Sequence, residues 1–366
     1  MKSMVFILGT RPEAIKLAPL ILLAKENQNL RVEVVLTSQH PEMCKGTLEE
    51  FGLVPTKILA SFENGQGLLM LSSRILSELT KLDIEWSNSL VIVQGDTTSA
   101  LMGAYAGFLL DSKVAHIEAG LRSHDHLPFP EEMNRRLISS LATFNFCATP
   151  ANEQNLRIEG IDEDKIFVVG NTVIDAMLHF GVASRELKTV KSILITLHRR
   201  ENQGEVIRSA TAIISNLANT YNAGYKWIFI KHPNPSVQNS YNSDFLKNQN
   251  IEFRDPIPYP NMLEELKSAS LLITDSGGFQ EEATFLGLPT LVLRRTTERR
   301  EAIEERCCLL VPNPQEDLEK LVINLLKNND GIYDQMSHPS NVFGMGNSAA
   351  AVLETLAGFE FGSAKW

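Results

Sequence analysis

Short apolar runs recur along this chain, and each one ends in a polar or glycine-bearing turn that leads into a helical segment. The first run, residues 4–8, ends in Gly9-Thr10-Arg11-Pro12-Glu13 before the helical stretch 14–25. Further runs lie at 32–36, 90–93, 114–117, 144–147 and 166–169, and then at 192–196, 227–230, 271–274 and 289–293. Repeated βα units of this length predict an α/β fold built on doubly wound parallel sheets.

The βα units divide into two series, and 366 residues are enough for two domains that each have a core. We place the first domain at 1–170 and the second at 171–345, with a C-terminal helix within 346–366. Polar turns follow strands in both halves. We therefore expect two sheets that face each other across a ligand-binding cleft.

Composition excludes several classes of protein. The formal net charge of −10 argues against nucleic acid and against a polybasic membrane surface as partners. Apolar stretches are all far shorter than the roughly 20 residues of a membrane span, and the N-terminal stretch carries charge too early for a signal peptide. The four cysteines lack metal-ligand spacing, so we expect reduced thiols in the cytoplasm.

Carboxylates are concentrated between residues 91 and 136. Asp96 and Glu118 each follow an apolar run, and Glu131 opens a helical segment. Ligands collect at the carboxyl ends of parallel strands, and gathered carboxylates are typical of acid/base chemistry. The alternative is structural: Asp96 and Glu131 would cap helices, and Glu118 would pair with Arg122.

Basic groups occupy other strand ends. The glycine turn that begins at Gly9 precedes a helix, and Arg11 and Lys16 add positive charge to it. In the second half, His198 and His232 follow apolar runs, and His198 lies in a strongly basic turn at the same relative place as Arg11. Neither the dinucleotide-binding nor the P-loop glycine pattern is present, so the sequence predicts no NAD or ATP cofactor and no metal.

The turn Ser276-Gly277-Gly278 precedes a helix and offers backbone N–H donors to a diphosphate without obstructing side chains. Glu281 and Glu282 follow; they would either stabilise the helix dipole or accept hydrogen bonds from a ribose. The run 294–300 is highly charged. It is either a solvated surface or part of the ligand site.

These motifs together resemble the non-hydrolysing UDP-N-acetylglucosamine 2-epimerase family. The matching strings run in order along most of the chain: GTRPEAIKLAP, TSQH, GDTTSA, HIEAGLRS, FPEEMNRR, GNTVID, HRREN, HPNP, TDSGGFQEEA and TTER. Each string is weak by itself, whereas their order is specific.

The resemblance implies two Rossmann-like domains in the glycosyltransferase-B arrangement, with the last helix packing back on the first domain. It implies an isomerase of polysaccharide biosynthesis that interconverts UDP-GlcNAc and UDP-ManNAc through a glycal. The implied catalytic residues are Asp96, Glu118, Glu131 and His198. The implied substrate-binding residues are Arg11, Lys16, His232, Ser276, Gly277, Gly278, Glu282 and Arg299. We also expect an allosteric UDP-GlcNAc site near Gln39 and His40, and a homodimer.

Some positions depart from the family pattern. Leu197 and Arg300 replace a small residue and a proline beside the expected cleft, and Arg306 stands where glycine is usual. They leave the exact sugar open. One alternative is a 2-epimerase of a related UDP-sugar, since the carboxylate of a diacetamido uronate would suit Arg294, Arg295 and Arg300. A second is a hydrolysing epimerase that releases ManNAc and UDP. A third is a UDP-sugar-binding module or a glycosyltransferase.

Overall fold

The computed structural model describes residues 2–37, 41–60, 66–125, 128–186, 189–199, 202–232 and 234–358. The chain forms two compact units, Met1–His179 with Phe343–Trp366, and Phe180–Val342. Residues 171–179 therefore lie with the first unit, whereas the sequence analysis began the second domain at 171.

The strands, in chain order, are β1 (Lys2–Leu8), β2 (Leu30–Leu36), β3 (Lys57–Ile58), β4 (Ser89–Gln94), β5 (Lys113–Ala119), β6 (Phe144–Cys147), β7 (Ile166–Val168), β8 (Lys191–Thr196), β9 (Tyr225–Ile230), β10 (Ile251–Arg254), β11 (Leu271–Thr274), β12 (Thr290–Val292) and β13 (Cys308–Leu310). Every apolar run predicted as a strand is confirmed. The ten runs do not include β3, β10 and β13, which are short and partly exposed and so carry little apolar signal.

The helices are α1 (Arg11–Glu26), α2 (Pro41–Glu50), α3 (Leu68–Leu79), α4 (Thr98–Leu109), α5 (Glu131–Leu141), α6 (Pro150–Ile158), α7 (Thr172–His179), α8 (Glu205–Tyr221), α9 (Pro235–Gln238), α10 (Tyr259–Ser268), α11 (Gly278–Leu286), α12 (Arg300–Glu304), α13 (Pro314–Leu326), α14 (Ile332–Met336) and α15 (Ser348–Ala357). No helix in the described ranges is long and apolar enough to cross a membrane.

The first unit is built on a parallel sheet with strand order β3-β2-β1-β4-β5-β6-β7. The chain moves outward from β1 to β3 and then returns to the other side of β1, so the order reverses between β1 and β4. Gly103 and Gly107 bring α4 against the sheet, since a Cβ at Gly107 would lie 2.9 Å from the Val114 side chain. The C-terminal α15 packs on α1 and α7 of the same unit.

The second unit repeats this plan with strand order β10-β9-β8-β11-β12-β13, all parallel. Its order reverses between β8 and β11. The core lies around Trp227 and Phe229, with Phe245 edge-on to Phe229 at 4.9 Å between ring centroids. The predicted fold class of two doubly wound, Rossmann-like parallel-sheet domains is confirmed.

Two departures from the family pattern have a clear structural setting. Leu197 is buried in the core of the second unit, where its side chain packs against apolar residues. Arg306 has a φ of +59°, a left-handed conformation that favours glycine and explains why glycine is usual at this position.

Candidate active site

A buried carboxylate joins the two turns at the switch point of the first unit. Glu13 accepts hydrogen bonds from the backbone N–H of Thr10 at 2.7 Å and of Gly9 at 3.1 Å, and from the Thr97 hydroxyl at 2.8 Å. Burial raises the pKa of Glu13 to about 7, although these donors oppose the shift. Glu13 therefore holds the turn after β1, which carries Arg11, against the turn after β4.

Sequence analysis did not select Glu13 as a site residue. The signal was available, because Thr10 and Glu13 form the capping box that starts α1. What the pattern could not show is the third partner, Thr97, which lies 84 residues further along the chain.

Glu118 lies at the end of β5, and its carboxylate is held by two other elements. Its Oε2 is in contact with Nζ of Lys16 on α1 and accepts a hydrogen bond from the Asn171 amide at 2.7 Å. The structural alternative for Glu118 is wrong, because Arg122 pairs with Glu159 at 2.7 Å. Lys16, predicted as a cation of the glycine turn, thus compensates the charge of a buried acid.

The backbone at Glu118 is strained. Its φ of +68° lies in the left-handed region, which costs a non-glycine residue on the order of 1–3 kcal/mol. Such strain persists only where the surroundings impose it, and it is concentrated at functional sites.

Asp96 follows β4 and is bound by an arginine of α5. Its Oδ2 accepts from Arg135 Nη2 at 2.7 Å and from Nε at 3.2 Å, and its backbone carbonyl accepts from the Asn134 amide at 2.8 Å. The helix-cap alternative for Asp96 is wrong, because the Thr97 side chain caps α4. About a quarter of the Asp96 side chain is exposed (26%), so a ligand can reach it.

Glu131, the third predicted acid, is the first residue of α5 and is partly buried. Its neighbour Glu132 is buried and organises the surroundings: its Oε2 accepts from Ser123 Oγ at 3.0 Å and from Arg135 Nη1 at 3.1 Å. Glu132 therefore fixes the arginine that binds Asp96. The prediction of Glu131 in place of the adjacent Glu132 rests on the resemblance. Only tertiary contacts separate the environments of the two acids.

His116 contacts the turn that carries Asp96, through the backbone of Gly95. The ring is fully buried, its Nε2 lies 2.7 Å from the carbonyl oxygen of Gly95, and its Nδ1 has no hydrogen-bond partner among the described residues. Burial lowers the pKa of His116 to about 4. The folded chain therefore holds a neutral imidazole that donates through Nε2.

We expect His116 to make the protein acid-sensitive. Above pH 6.5 its contribution to stability is fully present; as pH falls towards 4 the unfolded chain binds the proton first, and about 3 kcal/mol is lost. Urea denaturation at pH 7.5 and 4.5 measures this loss. His116→Gln should have a shallower pH dependence than the wild type, whereas the exposed His338→Gln should not. An equal slope in wild type and His116→Gln would contradict the assignment.

In the second unit, a buried carboxylate joins two turns at the switch point, as Glu13 does in the first unit. Asp275, after β11, accepts from the backbone N–H of His198 at 3.0 Å, from that of Arg199 at 2.9 Å and from the Asn202 amide at 3.2 Å. It therefore ties the basic turn after β8 to the Ser-Gly-Gly turn across the switch point. The sequence placed Asp275 in this turn but assigned it no role.

The ends of charged side chains lie close to Gly277. A Cβ at this position would lie 2.7 Å from Nη1 of Arg299 and 3.2 Å from Nη2 of Arg199. Gly278 begins α11, where free N–H groups and the helix dipole favour an anion. Ser276 lies at the same strand end. The predicted turn is thus partly buried, and two arginines and the carboxylate of Glu298 lie beside it.

In the charged run 294–300, Arg294, Glu298 and Arg299 are buried, so the interpretation of these three residues as a solvated surface is wrong. Arg299 donates to Glu281 at 2.8 Å and to Glu298 at 2.5 Å, and Arg294 pairs with Glu298 at 2.9 Å. All four side chains are buried. Burial also lowers the pKa of Arg294. Arg294 is thus bound within the protein, while Arg295 and Arg300 are exposed.

Glu282 is buried on α11, and its Oε1 accepts a hydrogen bond from the Tyr259 hydroxyl at 2.7 Å. Glu281 points instead to Arg299. The two adjacent acids therefore have different partners, which the sequence did not resolve.

The two predicted histidines of the second unit lie together. The rings of His198 and His232 stack with 5.3 Å between centroids. Tyr241 joins their loops: its hydroxyl donates to the Leu197 carbonyl at 3.2 Å and accepts from the His232 backbone N–H at 3.4 Å. Tyr241 carried no sequence signal, because it lies in a polar stretch away from any recognised motif.

The fold and these turns define a protein with two Rossmann-like units and with acidic and basic ligand-type turns at the carboxyl ends of its strands. The model of the UDP-N-acetylglucosamine 2-epimerase family matches residues 23–357, and the chain belongs to this family. The UDP-N-acetylglucosamine 2-epimerase of Salmonella borreze is 36% identical over 378 residues, which cover 98% of this chain and 99% of that protein.

Solved structures give the same result. The UDP-GlcNAc 2-epimerase of Neisseria meningitidis, bound to UDP-GlcNAc, has a TM-score of 0.91 and 35% identity, with 98% of this chain and 100% of that chain covered. The Methanocaldococcus jannaschii UDP-GlcNAc 2-epimerase, in complex with UDP-GlcNAc and UDP, has a TM-score of 0.83 and 33% identity, with 98% and 100% covered.

Two expectations concern other ligands. Gln39 and His40, predicted near an allosteric site, lie outside the described residues. Within the described part of the chain, no group of three or more His, Cys, Asp or Glu side chains is arranged to hold a metal ion.

Proposed function

We propose that this protein is a UDP-N-acetylglucosamine 2-epimerase that interconverts UDP-GlcNAc and UDP-ManNAc without hydrolysis. The observation that carries the proposal is the placement of two acids at the ends of neighbouring strands: a Cβ on Gly95, the residue before Asp96, would lie 3.9 Å from Glu118 Oε1. Family membership and relatives with bound UDP-GlcNAc support the substrate.

The proposed reaction has two halves. A carboxylate of the first unit removes the C2 proton, the electron pair forms the C1–C2 double bond, and the C1–O bond breaks to release UDP. In the second half, an acid returns a proton to C2 from the opposite face while UDP re-adds to C1 on its original face, which gives the C2 epimer. The C2 proton is not acidic, so both a positioned base and a stabilised leaving group are needed.

We assign the acid and base roles to Asp96, Glu118 and Glu131. The structure supports these roles through the local ion pairs: Arg135 pairs with Asp96, and Lys16 pairs with Glu118. Arg11, at the start of α1, would bind the substrate.

We assign UDP binding to the second unit, with the diphosphate at Ser276-Gly277-Gly278 and Arg299, and the ribose at Glu282. His198 would stabilise charge on the leaving diphosphate, and His232 would bind beside it. The buried Arg299 and the half-buried Arg199 beside Gly277 support the diphosphate site, since preorganised cations stabilise a developing negative charge.

Incubation with UDP-GlcNAc in D2O, followed by NMR, tests the proposal. We expect deuterium at C2 and a UDP-ManNAc signal, with no free ManNAc. Free ManNAc with UDP would indicate the hydrolysing alternative. Binding of UDP without exchange would contradict both and leave a binding module or another sugar.

A related UDP-2-acetamido sugar is the second candidate. Of the three arginines that suited a carboxylated sugar, Arg294 is bound internally to Glu298, which leaves Arg295 and Arg300. The comparison of kcat/KM for UDP-GlcNAc and for the UDP-diacetamido uronate separates the two substrates.

Tyr241→Phe tests the arrangement of the histidine loops. Removing the hydroxyl leaves the Leu197 carbonyl without its donor, and we expect kcat/KM to fall about tenfold with a stability loss of about 1 kcal/mol. Tyr225→Phe is the control, because the Tyr225 hydroxyl donates to the Leu326 carbonyl at 3.1 Å, an equivalent bond outside the assigned residues. Equal kcat/KM in both variants would exclude a role for Tyr241.

We also propose that the protein is a cytoplasmic homodimer with a regulatory UDP-GlcNAc site. The four cysteines are free thiols, as suits a reducing compartment.

The helices α3, α4 and α5 pack side by side and expose Leu69, Leu109 and Met133. Light scattering should give twice the chain mass, and Leu69→Glu with Leu109→Glu should give the monomer; a monomeric wild type would exclude the dimer. A hyperbolic response of rate to UDP-GlcNAc would exclude the regulatory site.

A further inference from the structure

Asn171 lies directly before α7 and is almost fully buried (2% exposed). Its Nδ2 donates to Glu118 Oε2 at 2.7 Å, and its Oδ1 accepts from the Val173 backbone N–H at 3.0 Å. Its own backbone N–H donates to the Phe343 carbonyl at 2.7 Å. One side chain thus connects Glu118 to the start of a helix, and its backbone connects both to the C-terminal part of the chain.

The C-terminal segment packs closely at this point. Gly170 has a φ of +91°, and a Cβ there would lie 2.6 Å from Ser348 Oγ and 3.1 Å from Gly344 Cα. Asp175 accepts from the Ala349 backbone N–H at 2.9 Å, which attaches the first turn of α15 to α7. Asn171 therefore has little freedom to move away from Glu118.

We propose that Asn171 is a positioning residue for Glu118, and that it directs this carboxylate towards the substrate. The inference rests on the proposed function, in which Glu118 takes part in proton transfer. Two donors, Lys16 Nζ and Asn171 Nδ2, meet the same oxygen, Oε2. Two bonds to one oxygen set the rotation of the carboxylate. The other oxygen, Oε1, then lies on the side of Gly95, which precedes Asp96 in the chain.

Asn171→Asp removes the donor and keeps the acceptor. The introduced carboxyl keeps an oxygen for the Val173 N–H, but when ionised it presents a negative charge to Glu118. Among the described residues, the charged or titratable groups near Glu118 include Lys16 of α1 and His116 of β5, and Arg122 and Arg135 lie near the same histidine. At pH 8 we expect kcat to fall about tenfold or more, with a smaller change in KM.

The pH dependence distinguishes positioning from a purely structural role. Burial and the neighbouring Glu118 both disfavour the ionised form of the introduced carboxyl, so its pKa should lie above the usual Asp value of about 3.9. As pH falls towards 5.5 the carboxyl takes up a proton and can donate again, so kcat relative to wild type at the same pH should recover. Asn171→Ala loses both the donor and the acceptor, so it should lose kcat at every pH without recovery.

Asn248→Asp is the matched control. Asn248 also accepts from the N–H two residues ahead, at 2.9 Å from Asn250, and its Nδ2 donates to Ser215 Oγ at 2.8 Å, within the second unit. We expect a stability loss with unchanged kcat. Thermal unfolding and UDP titration of all variants show whether each is folded.

Wild-type kcat for Asn171→Asp at pH 8, or a reduced kcat that does not recover at lower pH, would overturn the inference. If Asn171→Asp does not fold, Asn171→Ser serves instead: it keeps an oxygen for Val173 but is too short to reach Glu118, so near-normal kcat would refute the role. Absence of C2 exchange in the wild type would instead refute the proposed function, and a normal rate for Glu118→Gln would refute the role of Glu118.

Discussion

Replacing Asp96 by asparagine is expected to lower kcat by about 10³-fold while UDP binding is retained. The substitution keeps the shape of the side chain but removes the charge that Arg135 binds, and proton transfer by a positioned group is typically worth 10²–10⁴ in rate. Arg135 keeps its bond to Glu132, so the local structure should survive. Deuterium exchange at C2 measures the turnover, and calorimetry measures UDP binding.

Asp162→Asn is the control for this prediction. Asp162 is an exposed aspartate of the same unit and pairs with Lys165 at 2.9 Å. Its replacement should leave kcat unchanged. Near-normal turnover for Asp96→Asn would remove Asp96 from the proposed mechanism, and loss of UDP binding would show a binding role in place of proton transfer.

Asp275→Ala is expected to cause the largest loss of stability. Three donors on the turn after β8 would lose their acceptor, and a buried donor left unsatisfied costs about 1–3 kcal/mol. We expect the free energy of unfolding to fall by at least about 3 kcal/mol. UDP affinity should fall as well, because the turn that carries His198 is no longer tied to the Ser-Gly-Gly turn.

Urea denaturation and UDP titration measure both effects. Asp255→Ala is the control, since Asp255 is exposed and its ion pair with Lys231 at 2.7 Å should contribute less than about 1 kcal/mol. Asp275→Asn keeps one acceptor oxygen and should lie between wild type and Asp275→Ala. A stability loss for Asp275→Ala no larger than that of the control would refute the assigned role.

Much of the fold was predictable because parallel strands covered on both faces are continuous apolar runs. β4 is buried along its whole length, and its apolar pattern is visible in the sequence. The two-residue β3 is exposed at the edge of the sheet, and two residues carry no readable period. The predicted boundary at 170 preceded α7, whose packing on α1 no local pattern could show.

The candidate site was predictable in its positions but not in its partners. Strand ends located Asp96 and Glu118 through the turns that follow apolar runs. The ion pairs Lys16–Glu118 and Arg135–Asp96 join residues 102 and 39 positions apart in the chain. Sequence spacing proposed Arg122 for Glu118 because it is near in the chain, whereas the fold brings Lys16 of α1 to it.

By itself, the sequence determined the class of fold and the edge of each sheet at which chemistry would lie, because apolar periodicity and turn residues act over a few positions. Only the tertiary structure decided which charges compensate one another. Glu13, Asp275 and Asn171 acquire their roles by joining segments that are distant in the chain, and the free energy of a buried hydrogen bond or ion pair depends on that three-dimensional arrangement.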